Sequence, residues 1–398
     1  MKKRRIGRKN QNQEATWRTA NVVSDSCVSA LPSSLLREIF VRLPVVVVME
    51  CKLVCRAWYK LVSESSFTDN YGRNSPFTHL LLPMNRGTAD TTSQLLYLLE
   101  ISENGGCIRR PIKLQLPGRM KRRFSQFVVG SCSGLLSLSI CKPGVEVICV
   151  SNPLTGECIE LPEHERDRAD KSFVLYKMGF SPFMDKFKVL RISCKSWNDS
   201  RIEECEIFTV GVGERWRSLG NPFTRLCFWA DWISLNGALH WIAQDRGSVW
   251  ISTFDLAEEK VGRISHPPGL ELDLSTMNVA LFRNQLSLVD CSVPSQITIW
   301  TMKEYAIASS WSKDVILRSW FPPNVHVNKL IPVERLHNGD IVFGHCADLI
   351  SFNVKQKKCC KIGGFGVPRI ASRIMTYAPS FGSLTEDTKE VQWSTINV

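Results

Sequence analysis

Beyond Pro76 the chain repeats itself about every fifty residues, and this period restricts the available folds more than any other feature. Short runs with strand character alternate with clusters of Gly, Pro, Asn and Asp. Examples are Leu135-Leu136-Ser137-Leu138-Ser139-Ile140, Lys188-Val189-Leu190-Arg191-Ile192 and Ile297-Thr298-Ile299-Trp300. Turn tips fall near Gly105, Gly156, Gly213, Glu259, Lys303 and Gln356, at intervals of 44 to 57 residues. A similar strand follows most tips, as in Glu157-Cys158-Ile159-Glu160-Leu161, Arg215-Trp216-Arg217-Ser218-Leu219 and Lys358-Cys359-Cys360-Lys361-Ile362. A second phrase opens on glycine: Gly134-Leu135-Leu136, Gly237-Ala238-Leu239 and Gly339-Asp340-Ile341.

Several strands per fifty-residue unit predict an all-β domain, a kelch-like β-propeller of about six blades. The final Ile374 to Leu384 run is expected to close the ring. An irregular β-sandwich is the competing architecture.

The segment before Pro76 has a different texture. Pro32 suits a helix start, and Pro44 ends the helix that Leu35, Ile39 and Leu43 line at four-residue steps, with Leu36 and Phe40 beside them. Val47, Cys51, Val54, Cys55, Trp58, Leu61 and Val62 then follow a 3.6-residue period, which predicts one further amphipathic helix. A last turn is expected to end near Gly72. So short a helical unit has little apolar surface with which to bury itself, and suits completion by a partner.

The net charge of +12 is concentrated at one end, because Lys2, Lys3, Arg4, Arg5, Arg8 and Lys9 lie within the first ten residues. Such a tail fits a solvated extension, a nuclear-import address or an electrostatic arm. The rest of the excess forms no stripe, so nucleic acid is not the expected partner. An apolar stretch of the kind a secretory signal needs does not follow the basic start. No run approaches the ~20 apolar residues of a membrane span, so no membrane partner is expected. The fifteen cysteines are accordingly expected to stay reduced, and their spacing lacks the paired short separations of a structural zinc site.

Candidate chemistry is sparse. His240 beside Trp241 reads as a packed strand residue, and Glu203-Glu204-Cys205-Glu206 as a solvated rim. Gly211-Val212-Gly213 lacks the context of a nucleotide loop. Trp216, Trp241, Trp250 and Trp300 fall in repeat strands and suit the core, whereas Trp197, Trp229 and Trp232 fall near predicted loops and are candidates for a recognition face. No catalytic residue, metal ligand or cofactor site is expected.

Leu31-Pro32, Arg42-Leu43-Pro44 and Cys51-Lys52-Leu53-Val54-Cys55-Arg56-Ala57-Trp58 resemble the F-box. The remainder resembles the F-box-associated domain abundant in plants. The marks are Gly130-Ser131-Cys132-Ser133-Gly134, Ser151-Asn152-Pro153-Leu154-Thr155-Gly156, Asp185-Lys186-Phe187-Lys188-Val189, Asn236-Gly237-Ala238-Leu239-His240-Trp241 and Ile299-Trp300-Thr301-Met302-Lys303-Glu304-Tyr305. Ser33-Ser34 stands where the F-box usually carries an acidic residue, and Val45 to Val48 replaces a more polar mixture.

The resemblance implies a non-catalytic substrate receptor of a Skp–cullin–F-box ubiquitin ligase; the alternative is a stand-alone kelch-like propeller, a binding protein or an enzyme, without a ligase role. The receptor's adaptor-binding surface would be Leu31, Pro32, Leu35, Ile39, Leu43, Pro44, Cys51, Val54, Cys55 and Trp58. The partners would be a Skp-type adaptor, through it a cullin, and an unidentified protein substrate held by the β domain. The expected layout is a disordered basic tail over 1–26, an F-box over 27–72, a substrate-recognition domain over 73–385 and a tail over 386–398. The expected location is the nucleus, the cytoplasm or both.

Overall fold

A computed structural model describes residues 31–85, 94–102, 112–114, 125–142, 145–163, 173–196, 199–223, 232–245, 248–273, 276–323, 325, 330–345, 348–362 and 374–384. The basic residues 2–9 and the tails 1–26 and 386–398 lie outside this set. The chain divides into two compact units, Met1–Ser75 and Pro76–Val398.

Among the described residues, the first unit contains four helices: α1 (Ser33–Val41), α2 (Val45–Cys51), α3 (Arg56–Ser63) and α4 (Ser65–Asn74). Pro32 and Pro44 each precede a helix with ψ near 140–150°, so the fixed proline ring starts α1 and α2 where a backbone N–H would be unused. The single helix expected over 47–62 is two. Cys55 adopts an extended conformation (φ −159°, ψ 166°) and caps α3, which breaks the 3.6-residue register between Cys51 and Trp58. Leu36, Phe40, Val45, Val48, Val62, Phe67 and Tyr71 fill the unit's core. The Tyr71 hydroxyl donates to the Leu43 carbonyl at 2.9 Å, tying α4 to the α1–α2 turn. Among the described residues, no helix is long and apolar enough to cross a membrane.

The second unit is a six-bladed propeller in which every blade is a four-stranded antiparallel sheet. The first blade takes β1 (Phe77–Asn85), β2 (Gln94–Ser102) and β3 (Ile112–Leu114). Blade 2 is β4 (Ser125–Cys132), β5 (Leu135–Lys142), β6 (Val145–Asn152) and β7 (Glu157–Glu160). Blade 3 is β8 (Phe173–Ser181), β9 (Lys186–Ser196), β10 (Asp199–Thr209) and β11 (Arg217–Gly220). Blade 4 is β12 (Ile233–Leu235), β13 (Ala238–Asp245), β14 (Ser248–Asp255) and β15 (Val261–Ile264). Blade 5 is β16 (Met277–Phe282), β17 (Gln285–Asp290), β18 (Gln296–Met302) and β19 (Trp311–Leu317). Blade 6 is β20 (Leu330–Arg335), β21 (Ile341–His345), β22 (Asp348–Asn353) and β23 (Lys358–Ile362).

The first blade's innermost strand, β24 (Met375–Thr376), comes from the other end of the chain and pairs with Leu80 and Leu81 of β1. The ring is therefore closed by non-consecutive segments. After β24 a strap continues over blade 2. Asn152 Nδ2 donates to the carbonyls of Ser380 (3.0 Å) and Gly382 (3.1 Å). The Glu157 carboxylate accepts from Ser383 Oγ at 2.6 Å and from the Leu384 amide at 2.8 Å.

Blades pack face to face, so their middle strands are covered on both sides and bury nearly every residue, as in Leu286-Ser287-Leu288-Val289 of β17. Leu190, Ile192, Leu239, Trp241 and Phe254 fill the space between blades 3 and 4. Leu80, Leu99, Val342 and Leu349 fill that between blades 6 and 1.

Among the described residues, the expectation of wholly reduced cysteines fails at one pair. Cys149 and Cys158 form a disulfide across β6 and β7, with Cα atoms 6.4 Å apart. Their separation along the chain gave no sign of this. Antiparallel pairing sets Cys149 against Glu160 and Cys158 against Ser151, so the two are diagonal neighbours within reach of one another.

Candidate functional site

In the helical unit, α1 carries apolar residues on two sides. Leu36, Phe40 and Val41 point into the core, whereas Leu35 and Ile39 are 51% and 46% exposed. Leu53 and Val54, in the turn between α2 and α3, are both 63% exposed. Left in water on so small a unit, these four large aliphatic side chains, with Val46 of α2 also exposed, are the mark of an interaction surface. Among the other residues of the expected adaptor surface, Pro32 is exposed, and Leu31, Leu43, Cys55 and Trp58 are half-buried. Pro44 and Cys51 are buried inside the unit, where they support the fold rather than meet a partner.

Trp58 packs edge-on against Phe40, ring centroids 4.8 Å apart, and braces α1 from behind. Arg37 pairs with the Glu64 carboxylate and with Ser66 Oγ, fixing α1 to the α3–α4 junction. The hydrogen bond from Arg37 holds the Glu64 carboxyl below its ordinary range, outweighing a small desolvation in the opposite direction. Lys52 folds back so that its ammonium lies 4.9 Å from the Tyr59 ring centroid. Sequence reading missed Leu53 because it lies off the helical period; its exposure follows from the chain break at Cys55.

In the propeller, the inner strands enclose a cavity of about 240 Å³. Its wall is made of consecutive residues, 128–131, 232–234, 279–281 and 374–376 among them, so the free edge of each inner strand faces it. Trp232, one of the three tryptophans expected on a recognition face, stands in this wall and is half-buried. It stacks on Trp241 with centroids 4.0 Å apart and planes 5° from parallel. The Lys177 ammonium lies 5.8 Å from its ring centroid. Trp197 and Trp229 lie outside the described residues. Of the tryptophans expected in the core, Trp241 is buried, and Trp216, Trp250 and Trp300 are half-buried against interblade clusters.

His240 is fully buried, and its Nε2 lies 2.7 Å from the Tyr305 hydroxyl. Burial pushes its pKa down to about 4, so the ring is neutral and joins the turn after β18 to β13. Glu206 is not part of a solvated rim: only 5% exposed, it receives Arg191 Nη1 at 2.9 Å from the facing position on β9. Gly211-Val212-Gly213 is the turn between β10 and β11. Among the described residues, no three His, Cys, Asp or Glu side chains converge to hold a metal ion.

Two sequence signatures match this chain. The one described as F-box-like covers residues 28–68, and the one described as the F-box associated beta propeller domain covers 96–359. F-box protein At3g07870 of Arabidopsis thaliana is 26% identical over 345 residues, 79% of this chain and 80% of that protein. The F-box/kelch-repeat protein At3g23880 of the same plant is 25% identical over 304 residues, 71% and 78% of the two chains. Among solved structures, TolB from Acinetobacter baumannii aligns over 81% of this chain and 73% of its own at 10% identity, with a TM-score of 0.48.

Proposed function

The chain belongs to the F-box-associated β-propeller family, and from that premise we propose that it is the substrate-recognition subunit of a Skp–cullin–F-box ubiquitin ligase. The observation that carries this reading is the outward set Leu35, Ile39, Leu53 and Val54, which lies within the F-box-like segment. Covering the exposed half of each of these four side chains in an apolar groove would release about 1 kcal/mol apiece, a contribution that the rest of the interface must add to before association entropy is met. The adaptor would bring the cullin. The propeller would hold a protein substrate, with the wall around Trp232 and the regions of Trp197 and Trp229 as its recognition face. Ubiquitin transfer would then rest with other subunits, and this chain would be non-catalytic. We place it in the nucleus, the cytoplasm or both, with residues 2–9 as the nuclear-import candidate, to be read from a reporter fused to residues 1–26.

The test is co-purification with a Skp-type adaptor. Wild type should bind, and Leu35→Asp/Val54→Asp should lose binding at least a hundredfold while keeping its far-ultraviolet circular dichroism, because both side chains are in water before binding. Equal binding by that folded variant would reject the proposed surface, and no binding by wild type would reject the ligase role.

A further inference from the structure

The hairpin that holds the C-terminal strap is also the one joined by the disulfide. β7 has four residues and, among the described strands, pairs only with β6, so it is a short edge strand with a strong tendency to fray. Its first residue, Glu157, grips Ser383 and Leu384, and the disulfide follows at the next position, Cys158. On the facing strand Asn152 grips Ser380 and Gly382, while its Oδ1 accepts the Leu154 amide at 3.0 Å and so shapes the turn between the grips. Cys149 is fully buried and Cys158 is half-buried, so an external thiol can approach only from the Cys158 side. Where thiols are normally kept reduced, a disulfide is chiefly a redox sensor or a catalytic intermediate, and among the described residues no catalytic group surrounds this pair.

We propose that Cys149–Cys158 is a thiol–disulfide modification site that sets how firmly the strap clasps the propeller ring. A dithiol reductant acts on the oxidised form. Its thiolate attacks Cys158 Sγ, forming a mixed disulfide as the S–S bond breaks and Cys149 leaves to be protonated. The reductant's second thiolate then attacks its own sulfur in the mixed disulfide and frees the Cys158 thiolate, which takes up the second proton. Two electrons pass to the protein, and the reductant leaves as a cyclic disulfide. Oxidation is the same exchange in reverse, with a small disulfide as oxidant. In the reduced form β7 is tied to β6 by the backbone pairs and by the Ser151 hydroxyl, which donates to the Glu157 carbonyl at 2.9 Å, and without the covalent link the Glu157 grip loosens.

Amide exchange of the full-length chain, followed by mass spectrometry, tests this. Protein oxidised with glutathione disulfide is compared with the same sample after dithiothreitol, and with Cys158→Ser. Reduction should speed exchange severalfold at 157–160 and 377–384 and leave β13 and β17 unchanged. Cys158→Ser should show the faster rate with or without dithiothreitol. Three results would each overturn the proposal: alkylation of both Cys149 and Cys158 in the oxidised sample, strap exchange indifferent to dithiothreitol, or acceleration spread evenly over all blades.

Discussion

The Tyr377 hydroxyl donates to the Gly134 carbonyl at 3.1 Å, joining positions 243 residues apart and pinning the strap to the first turn of blade 2. Gly134 has φ +82°, and a Cβ there would lie 2.3 Å from Ser380 Cβ and 2.7 Å from the Ala378 carbonyl oxygen. The turn therefore requires glycine twice over, for its backbone angle and for the strap crossing it. Gly134→Ala should destabilise the propeller by about 2–4 kcal/mol, and Tyr377→Phe by about 1 kcal/mol, measured as shifts in the urea midpoint at constant slope. A Gly134→Ala chain as stable as wild type would show that the strap is not part of the closure.

Period carried the architecture in the sequence. Gly156, Gly213, Glu259, Lys303 and Gln356, spaced by turn chemistry alone, all lie in or beside the turn leading to the outermost strand of successive blades. Gly134, Gly237 and Gly339 are all left-handed residues just before or near a second strand. What stayed hidden depends on pairing between distant or diagonal positions. The Glu206–Arg191 ion pair needs the β9–β10 register, and the Cys149–Cys158 bond needs the diagonal of a hairpin. The exposed face of α1 was hidden for another reason: Leu35 and Leu36 are equally apolar, and only the packing of α4 decides which points inward.

Glu334 on β20 accepts the Arg283 amide (3.0 Å) and the Arg335 amide (2.8 Å), and so holds blade 6 to the β16–β17 turn of blade 5. Burial pushes its carboxyl up to about 7, against the opposing pull of those two amides. An unfolded glutamate titrates near 4.3, so between there and about 7 the folded chain keeps a proton that the unfolded chain has lost. This contribution to stability therefore falls as pH rises through that window. Discounted for the partial exposure of the residue, it amounts to about 2 kcal/mol. Glu334→Gln keeps an acceptor and has no proton to lose, so its unfolding free energy should gain about that much on wild type between pH 5 and 8.

His240 acts in the opposite sense. With a folded pKa near 4 against an ordinary value near 6.5, it stays neutral where the unfolded chain takes up a proton. Its contribution is complete above 6.5 and is lost as pH falls towards 4, by about 3 kcal/mol at most. Because Glu334 gains over much of the same window, the wild-type curve should be nearly flat from pH 4.5 to 6.5. His240→Gln should expose the Glu334 slope, and Glu334→Gln the His240 slope. Parallel pH profiles for all three chains would reject both assignments.

Lys188 on β9 is 2% exposed, and its ammonium lies 2.7 Å from the Glu259 carboxylate at the β14–β15 turn, so a buried charge on blade 3 is neutralised from blade 4. Arg217, largely in water, shares the same carboxylate. Desolvation would raise the Glu259 carboxyl, yet the bonds from Arg217 and Lys188 outweigh it and hold the group below its ordinary range. The pair is asymmetric. Removing the acid leaves an unpaired cation with no water to reach, whereas removing the cation leaves an acid that Arg217 still satisfies. Glu259→Ala, which removes both the charge and the acceptor, should therefore cost about 3–5 kcal/mol and Lys188→Met clearly less. The double variant should recover most of the loss, because an apolar side chain needs no partner across the blade interface. A double-mutant cycle in urea measures this, and additive losses would show that the two charges do not depend on one another.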